Sequence, residues 1–226
     1  MSTVLITGAT GGWGGDVLAR FVAEGWDVAA LHRPGPAPEG LADGVLAVAG
    51  DAADPDQAAA AVAAVVERFG SLDAVVNIAG GFEMAGTVDI QSEQVWRRQL
   101  RINLDTAWAM TRAAVGPMRA AGRGSIVYVG SAAALWPFAG ASAYIVSKAA
   151  VLALMAAVDA EVRGEGLRVN TIVPKVVDTP RNRAENPSAD HSRWTTGGQL
   201  AAAIHWLCSD ESAPLSGATI PAYGRA

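Results

Sequence analysis

The sequence predicts an α/β fold: a single domain built on a doubly wound parallel sheet of about seven strands, with helices on both faces. Three observations predict it. Short β-rich runs recur along the chain. Alanine-rich stretches of helical length separate most of them, an alternation that points to βαβ units. A glycine-rich turn follows the first run and opens the first helical stretch.

Taken in order, the strand candidates are Val4–Thr7, Val28–Leu31, Val45–Val48, Leu72–Ile78, Ser125–Val129 and Arg168–Val173. A seventh run, Gly217–Pro221, adds a candidate edge strand. Helices are expected over Gly12–Glu24, Pro55–Phe69, Ser92–Met118, Ser142–Glu165 and Gly197–Cys208. Alanine favours them because it gives up no side-chain entropy in a helix. The span 92–118 is long and ends at Pro117, whose ring and missing N–H oppose a helix interior, so two helices or one kinked helix are expected there. Arg33–Gly40 and Thr179–Ser192 are rich in Pro, Gly, Asn and Ser and read as loops.

At 226 residues the chain suits one sizeable core, so residues 1–226 are read as one domain. The formal charge of −5 and the scattered Lys and Arg give no basic stripe for a nucleic acid to follow. Cys208 is the only cysteine, which leaves no intramolecular disulfide and no cysteine cluster for zinc; no metal site is expected. Apolar runs stop far short of the roughly 20 residues that span a bilayer, so no membrane partner is expected and a cytoplasmic location is the default.

The turn Thr7-Gly8-Ala9-Thr10-Gly11-Gly12-Trp13-Gly14 suits a pyrophosphate. Glycine lets backbone N–H groups approach the anion, and the following helix N-terminus favours negative charge. Taken alone it is weak evidence, with a plain tight turn as the alternative, and its position after the first strand favours the anion-binding reading. At the end of the second strand, Ala30-Leu31-His32-Arg33 carries no acid to accept from a ribose 2′-hydroxyl. Arg33 instead offers a cationic fork for a 2′-phosphate, which His32 can assist, so NADP(H) is expected over NAD(H). The alternative is that Arg33 stacks on adenine or faces solvent, leaving the site indifferent to that phosphate.

Tyr144-Ile145-Val146-Ser147-Lys148 places a phenol and an ammonium at i and i+4, on one helix face. An unperturbed phenol is a poor proton donor at neutral pH, and a nearby cation lowers its pKa; Lys148 is expected to do so for Tyr144. On its own such a pair is an ordinary helix face. Ser131 stands at the end of the fifth strand, suited to polarising a substrate oxygen or to capping the next turn. Asn103 lies inside the long helical span, where a polar residue otherwise faces solvent.

With these residues in order, the chain resembles the short-chain dehydrogenase/reductase family from Val4 to about Gly217. The spacing Thr-Gly-x-x-x-Gly-x-Gly fits that family, and the resemblance implies a Rossmann-type fold that binds NAD(P)(H). It implies Asn103, Ser131, Tyr144 and Lys148 as a catalytic tetrad, with Tyr144 as general acid and base. Lys148 then also holds the nicotinamide ribose, and Asn103 a proton-relaying water. Gly8, Thr10, Gly12, Trp13 and Gly14 are implied as the cofactor turn. Asp51 and Ala52 are implied at the adenine, and Asn77-Ile78-Ala79-Gly80 matches the family's Asn-Asn-Ala-Gly motif, giving Asn77, Ala79 and Gly80 cofactor roles. A helix-start or turn role for Asp51 and a strand-tying role for Asn77 are the alternatives. Pro174, Val177 and Thr179 are implied beside the nicotinamide, and Lys175 departs from the family's usual Gly after Pro174, which questions the local backbone. Relatives also imply a homodimer or homotetramer formed through 92–118 and 142–165.

The stretch 175–196 is a short substrate loop in which Asp178-Thr179-Pro180, Asn182-Arg183, Pro187, Ala189-Asp190, Ser192 and Trp194 resemble dihydropteridine reductases. Phe82, Trp136, Lys175 and Trp194 are the candidate substrate-pocket residues, with core or oligomer contacts as their alternative. A complete tetrad favours hydride exchange between the cofactor and a small carbonyl or alcohol substrate; a quinonoid dihydropteridine is the enzymatic alternative. A non-catalytic NAD(P)-sensing protein is the reading from another class.

Overall fold

The computed structural model describes residues 2–225. One sheet runs through the centre in the order β3–β2–β1–β4–β5–β6–β9, and every neighbouring pair is parallel. Its strands are β1 (Thr3–Thr7), β2 (Asp27–His32), β3 (Leu46–Ala49), β4 (Ala74–Asn77), β5 (Gly124–Val129), β6 (Leu167–Pro174) and β9 (Thr219–Ala222). The helices are α1 (Gly14–Ala23), α2 (Pro55–Phe69), α3 (Glu93–Leu100), α4 (Thr106–Ala121), α5 (Ser142–Val162), α6 (Pro180–Glu185) and α7 (Gly197–Cys208). The predicted doubly wound parallel sheet is therefore present, and the run near the C-terminus joins β6 as its edge strand.

Alternation along each strand sends side chains to opposite faces, and each face is covered by helices. Leu5, Val75, Ile126 and Tyr128 pack with α2, α4 and α5 on one side. Val4, Ile6, Val76 and Val127 pack with α1 and α7 on the other. Fully burying one such side chain contributes about 1.5–3 kcal/mol, so both layers are needed to offset the entropy of ordering the chain. Strand order reverses between β1 and β4, and the crevice at their C-terminal ends is where ligands bind in open α/β sheets.

Two expectations change. Pro117 does not end the helix begun at residue 93: a π-helical segment at Arg101–Asp105 joins α3 to α4, and α4 continues to Ala121 before Gly122 turns left-handed at φ 66°. Pro117 is exposed, so the carbonyl it leaves unpaired meets water, and Gly116 before it has no Cβ to clash with the ring. Buried Ala114 and Met118 on either side hold the helix in place. The stretch 179–192 is likewise not all loop. Thr179 caps α6, and a 3₁₀ turn covers His191–Arg193. The base of this excursion is closed by a second, two-stranded sheet pairing β7 (Val177–Asp178) with β8 (Thr195–Thr196).

Gly14 and Gly15 make a matched test of the turn after β1. An added Cβ at Gly14 would stand 2.1 Å from the Gly8 carbonyl oxygen, whereas at Gly15 its nearest neighbour is 3.9 Å away. Gly14→Ala should lower the thermal midpoint by about 3 °C or more, through a packing clash worth about 1–3 kcal/mol. Gly15→Ala should leave the midpoint unchanged or raise it slightly. Circular dichroism melts of the two variants check this, and equal effects would remove the close approach as the reason for Gly14.

Candidate active site

A groove of about 1170 Å³ opens at the crevice, lined by the turn Gly8 to Gly14, by His32 and Arg33 after β2, by Asp51 and Ala52 after β3 and by Ile78 to Gly80 after β4. The turn is built by close backbone approach. Gly8 has φ +72°, and a Cβ on it would lie 2.8 Å from the Ala79 amide nitrogen. That amide donates to Thr7 Oγ1 at 3.2 Å, stitching β1 to the segment after β4. Trp13 stands at the N-cap of α1 and contributes no side-chain cap; the Gly14 and Asp16 N–H groups donate to the Gly11 and Trp13 carbonyls at 3.2 Å, and the helix N-terminus still favours negative charge.

A dinucleotide fits this cradle. Asn77, at the end of β4, is 6 % exposed, and its Nδ2 has no partner among the described residues. An unpaired buried donor costs about 1–3 kcal/mol, which a bound acceptor would recover. Asp51 takes the turn role and also lines the groove. Its Oδ1 accepts the Ala53 N–H at 2.9 Å and its Oδ2 pairs with Arg101 at 2.5 Å, while the residue lines the groove. Arg33 is exposed at the groove edge. His32 is buried, and its Nδ1–H donates to the Arg33 carbonyl at 2.9 Å, so only Nε2 remains for a ligand.

At the other end the tetrad comes together from three segments. Asn103 is 2 % exposed, at the centre of the π-helical segment, and does not face solvent. Its Nδ2 donates to the Gly81 carbonyl at 3.0 Å and to Ser147 Oγ at 3.1 Å, and its Oδ1 accepts the Gly81 N–H at 3.0 Å. Lys148 is buried, and its Nζ donates to the Val129 carbonyl at 2.8 Å. A Cβ on Gly80 would sit 2.6 Å from Asn103 Oδ1 and 3.4 Å from Lys148 Nζ, so only glycine lets this turn pass. Ser131 Oγ accepts the Ala133 N–H at 3.2 Å, capping the 3₁₀ turn Ala132–Ala134 while it lines the pocket.

The electrostatics correct one expectation. The Tyr144 phenol does not lie below its ordinary pKa: burial pushes it up, and a hydrogen bond with the Ser131 hydroxyl only partly offsets this. Burial also lowers the Lys148 ammonium to about 8. Both groups are pushed towards their neutral forms because the site is shielded from water.

Beyond Tyr144 lies a second pocket of about 550 Å³. Phe82 stands edge-on to Tyr144, with centroids 4.9 Å apart, and Phe138 lies 6.4 Å from Phe82. Trp136 lines the rim and packs against Tyr223 at 5.1 Å. Lys175, Pro174 and Val177 also line this pocket. Lys175 stands where the resemblance expects Gly, yet no non-glycine among the described residues has a positive φ, so the lysine sits there without strain. Trp194 is corrected: it lies outside the pocket lining, with its ring against His191 at 4.5 Å, because the turn at 191–193 folds it back on its own excursion. Thr179 Oγ1 caps α6 by accepting the Asn182 N–H at 3.2 Å, and its methyl group faces Gly12.

Sequence reasoning did not single out Gln99, Arg101 or Ser147. Gln99, at i−4 from Asn103, is 2 % exposed and accepts from Asn103 Nδ2 at 3.2 Å; a polar pair at helical spacing is the signal that was available. Among the described residues no helix is long and apolar enough to cross a membrane, and no cluster of His, Cys, Asp and Glu could hold a metal ion.

The family model described as short chain dehydrogenase matches residues 2–190. The chain is 32 % identical to the 2-(R)-hydroxypropyl-CoM dehydrogenase of Xanthobacter autotrophicus, over 96 % of this chain and 94 % of that protein. It is 33 % identical to the D-threitol dehydrogenase of Mycolicibacterium smegmatis, over 96 % and 89 %. It is 27 % identical to the 3-oxoacyl-[acyl-carrier-protein] reductase MabA of Mycobacterium avium, over 98 % and 88 %. The solved structure of a short-chain type dehydrogenase/reductase from Mycobacterium ulcerans superimposes with a TM-score of 0.91 at 30 % identity, covering 99 % of this chain and 89 % of that one. With a seven-stranded parallel sheet, a glycine cradle at its switch point and this match along most of its length, the chain belongs to the short-chain dehydrogenase family of nicotinamide-dependent oxidoreductases.

Proposed function

We propose that the protein is an NADP(H)-preferring oxidoreductase that interconverts a small carbonyl compound and its alcohol, with Tyr144 as general acid and base. The observation that carries this reading is the meeting of Ser131, Tyr144 and Lys148 where the glycine-lined groove joins the aromatic pocket. The relatives' names point the same way, since each describes a dehydrogenase or a reductase of an oxo group. A bound nicotinamide would supply or accept the hydride. Gly8, Thr10, Gly12, Trp13 and Gly14 would hold the pyrophosphate, Arg33 with His32 Nε2 the 2′-phosphate, and Asp51 with Ala52 the adenine. Asn77, Ala79, Gly80, Pro174, Val177 and Thr179 would flank the nicotinamide end.

Ser131 orients the substrate oxygen by hydrogen bonding, and the Tyr144 hydroxyl delivers the proton in reduction and takes it back in oxidation. Lys148, still largely protonated at neutral pH, opposes the effect of burial by stabilising the phenolate that remains after proton transfer. Asn103 keeps the Gly80–Gly81 backbone clear of the lysine. The excursion 175–196 serves as the substrate loop of this single domain. Association into a homodimer or homotetramer through α4 and α5 is part of the same reading, supported by Trp108 at 45 % and Val146 at 42 % exposure on those helices.

Three outcomes follow from these assignments. Tyr144→Phe should lower kcat by about 10²–10⁴ while NADPH affinity, read by fluorescence titration, stays near wild type. Substantial ketone reduction by that variant would make the proton-donor assignment wrong. Arg33→Ala should raise the KM for NADPH about tenfold more than that for NADH, because a charge-assisted contact is lost only with the phosphate; equal changes would sink the cofactor preference. Reduction needs the proton on Tyr144 and the charge on Lys148. The phenol's raised pKa keeps it protonated, so kcat/KM for reduction should fall as pH rises through about 8, where Lys148 is neutralised. A flat profile from pH 6 to 10 would remove Lys148 from the mechanism. The reading as a whole is tested by NADPH consumption with simple ketones beside quinonoid dihydropterin. Turnover of ketones is expected, whereas tight NADPH binding without turnover of either would favour a cofactor-sensing role.

A further inference from the structure

The pocket beyond Tyr144 is lined by only three charged side chains: Lys148, Lys175 and Glu185. Two of them are already engaged. Lys148 is buried against the Val129 carbonyl, and Glu185 is paired with Arg181 one helical turn away at 2.7 Å. The nearest acid in sequence to Lys175 is Asp178, and both its oxygens are taken by Arg183, at 2.5 and 2.8 Å. The arginines of α6 thus pair with both Glu185 and Asp178, and Lys175 is left exposed with no ion pair among the described residues. Lys175 lines this pocket and not the glycine-turn groove, so the charge faces the substrate side of the site. The remaining walls combine the aromatic Phe82, Trp136 and Phe138 with the uncharged polar Ser131, Tyr144, Asn182 and Asn186. In a chain of net charge −5, a single uncompensated cation in an aromatic pocket is a selective feature and not part of a general positive field.

We infer that the substrate carries an anionic group, such as a carboxylate, on an apolar body, and that Lys175 pairs with this group while the reacting carbon faces Tyr144. The inference rests on the carbonyl and alcohol reading given above and names its substrate class. A flexible ammonium on a four-carbon stem suits this task, because it can follow anions placed at different distances from the reacting carbon. Opposite charge draws the anion in, and a like-charged or neutral competitor gains nothing from the same residue.

The test compares 4-acetylbenzoate with acetophenone, which share an aromatic body and a ketone and differ in charge. Wild-type protein should favour 4-acetylbenzoate in kcat/KM, and the preference should weaken as salt rises. Lys175→Met should cut the ratio of the two kcat/KM values about tenfold, through KM more than kcat, and Lys175→Arg should restore most of it. An unchanged ratio in Lys175→Met, or a loss that appears in the KM for NADPH instead, would overturn the inference. If neither ketone is turned over, the carbonyl reading fails by itself, and calorimetry on the NADPH-loaded protein then decides the role of Lys175. Lys175→Met weakening 4-acetylbenzoate about tenfold relative to acetophenone supports the role, and equal affinities in both proteins reject it.

Discussion

The Asn103 amide donates to the Gly81 carbonyl and to Ser147 while accepting the Gly81 N–H, and these bonds tie together the segments on which the site depends. The turn after β4, the long helix and α5 arrive from distant parts of the chain. A single buried side chain sets their separation. Its place in a π-helical segment fits this task, because the wider turn re-aims a side chain that an ordinary α-helix would send elsewhere. Gly80 completes the arrangement by giving the amide and the Lys148 ammonium room to pass on the same side.

From that frame the electrostatics of the site follow. Enclosure raises the phenol and lowers the ammonium, so burial disfavours the charged form of both Tyr144 and Lys148, although the ammonium, at about 8, keeps most of its charge at neutral pH. Ionising either one then depends on its partner more strongly than it would in water, since the interaction of charges grows as solvent is excluded. Ser131 spans both demands. Its hydroxyl caps the turn after β5 and also lowers the Tyr144 phenol against the effect of burial, so one group serves both the start of the 3₁₀ turn and the phenol's surroundings.

The turn after β1 works by the same logic of close approach, with backbone in place of side chains. Gly8 and Gly14 bring β1, the segment after β4 and the start of α1 within distances that a Cβ would forbid. The groove this creates is walled by backbone amides at one end and by arginines at the other. Arg101 reaches across from the π-helical segment to Asp51, linking the groove's far wall to the helix that carries Asn103. The excursion between β6 and α7 adds one wall of the second pocket; its Asp178 and Glu185 pair with Arg183 and Arg181, and its Lys175 has no ion pair among the described residues.

By itself the sequence determined the layers of the fold and pointed to the candidate residues at the end of the sheet. Alternating β-rich and alanine-rich stretches placed six strands, the edge strand and the bounds of α2 and α7, because burial period and helix propensity are local properties of a few residues. The glycine turn, Tyr144 with Lys148, and Ser131 were singled out by their resemblance to the family's motifs, since the Tyr144 and Lys148 pair alone reads as an ordinary helix face. Only the tertiary structure decided that Pro117 is tolerated on a solvent face, that Asp51 is shared with Arg101, and that Trp194 turns away from the pocket onto His191. It also decided the direction of the Tyr144 shift. A pKa depends on what encloses a group and on its hydrogen-bond partners, and both are set by segments far apart in the chain, here the walls around α5 and the Ser131 hydroxyl after β5.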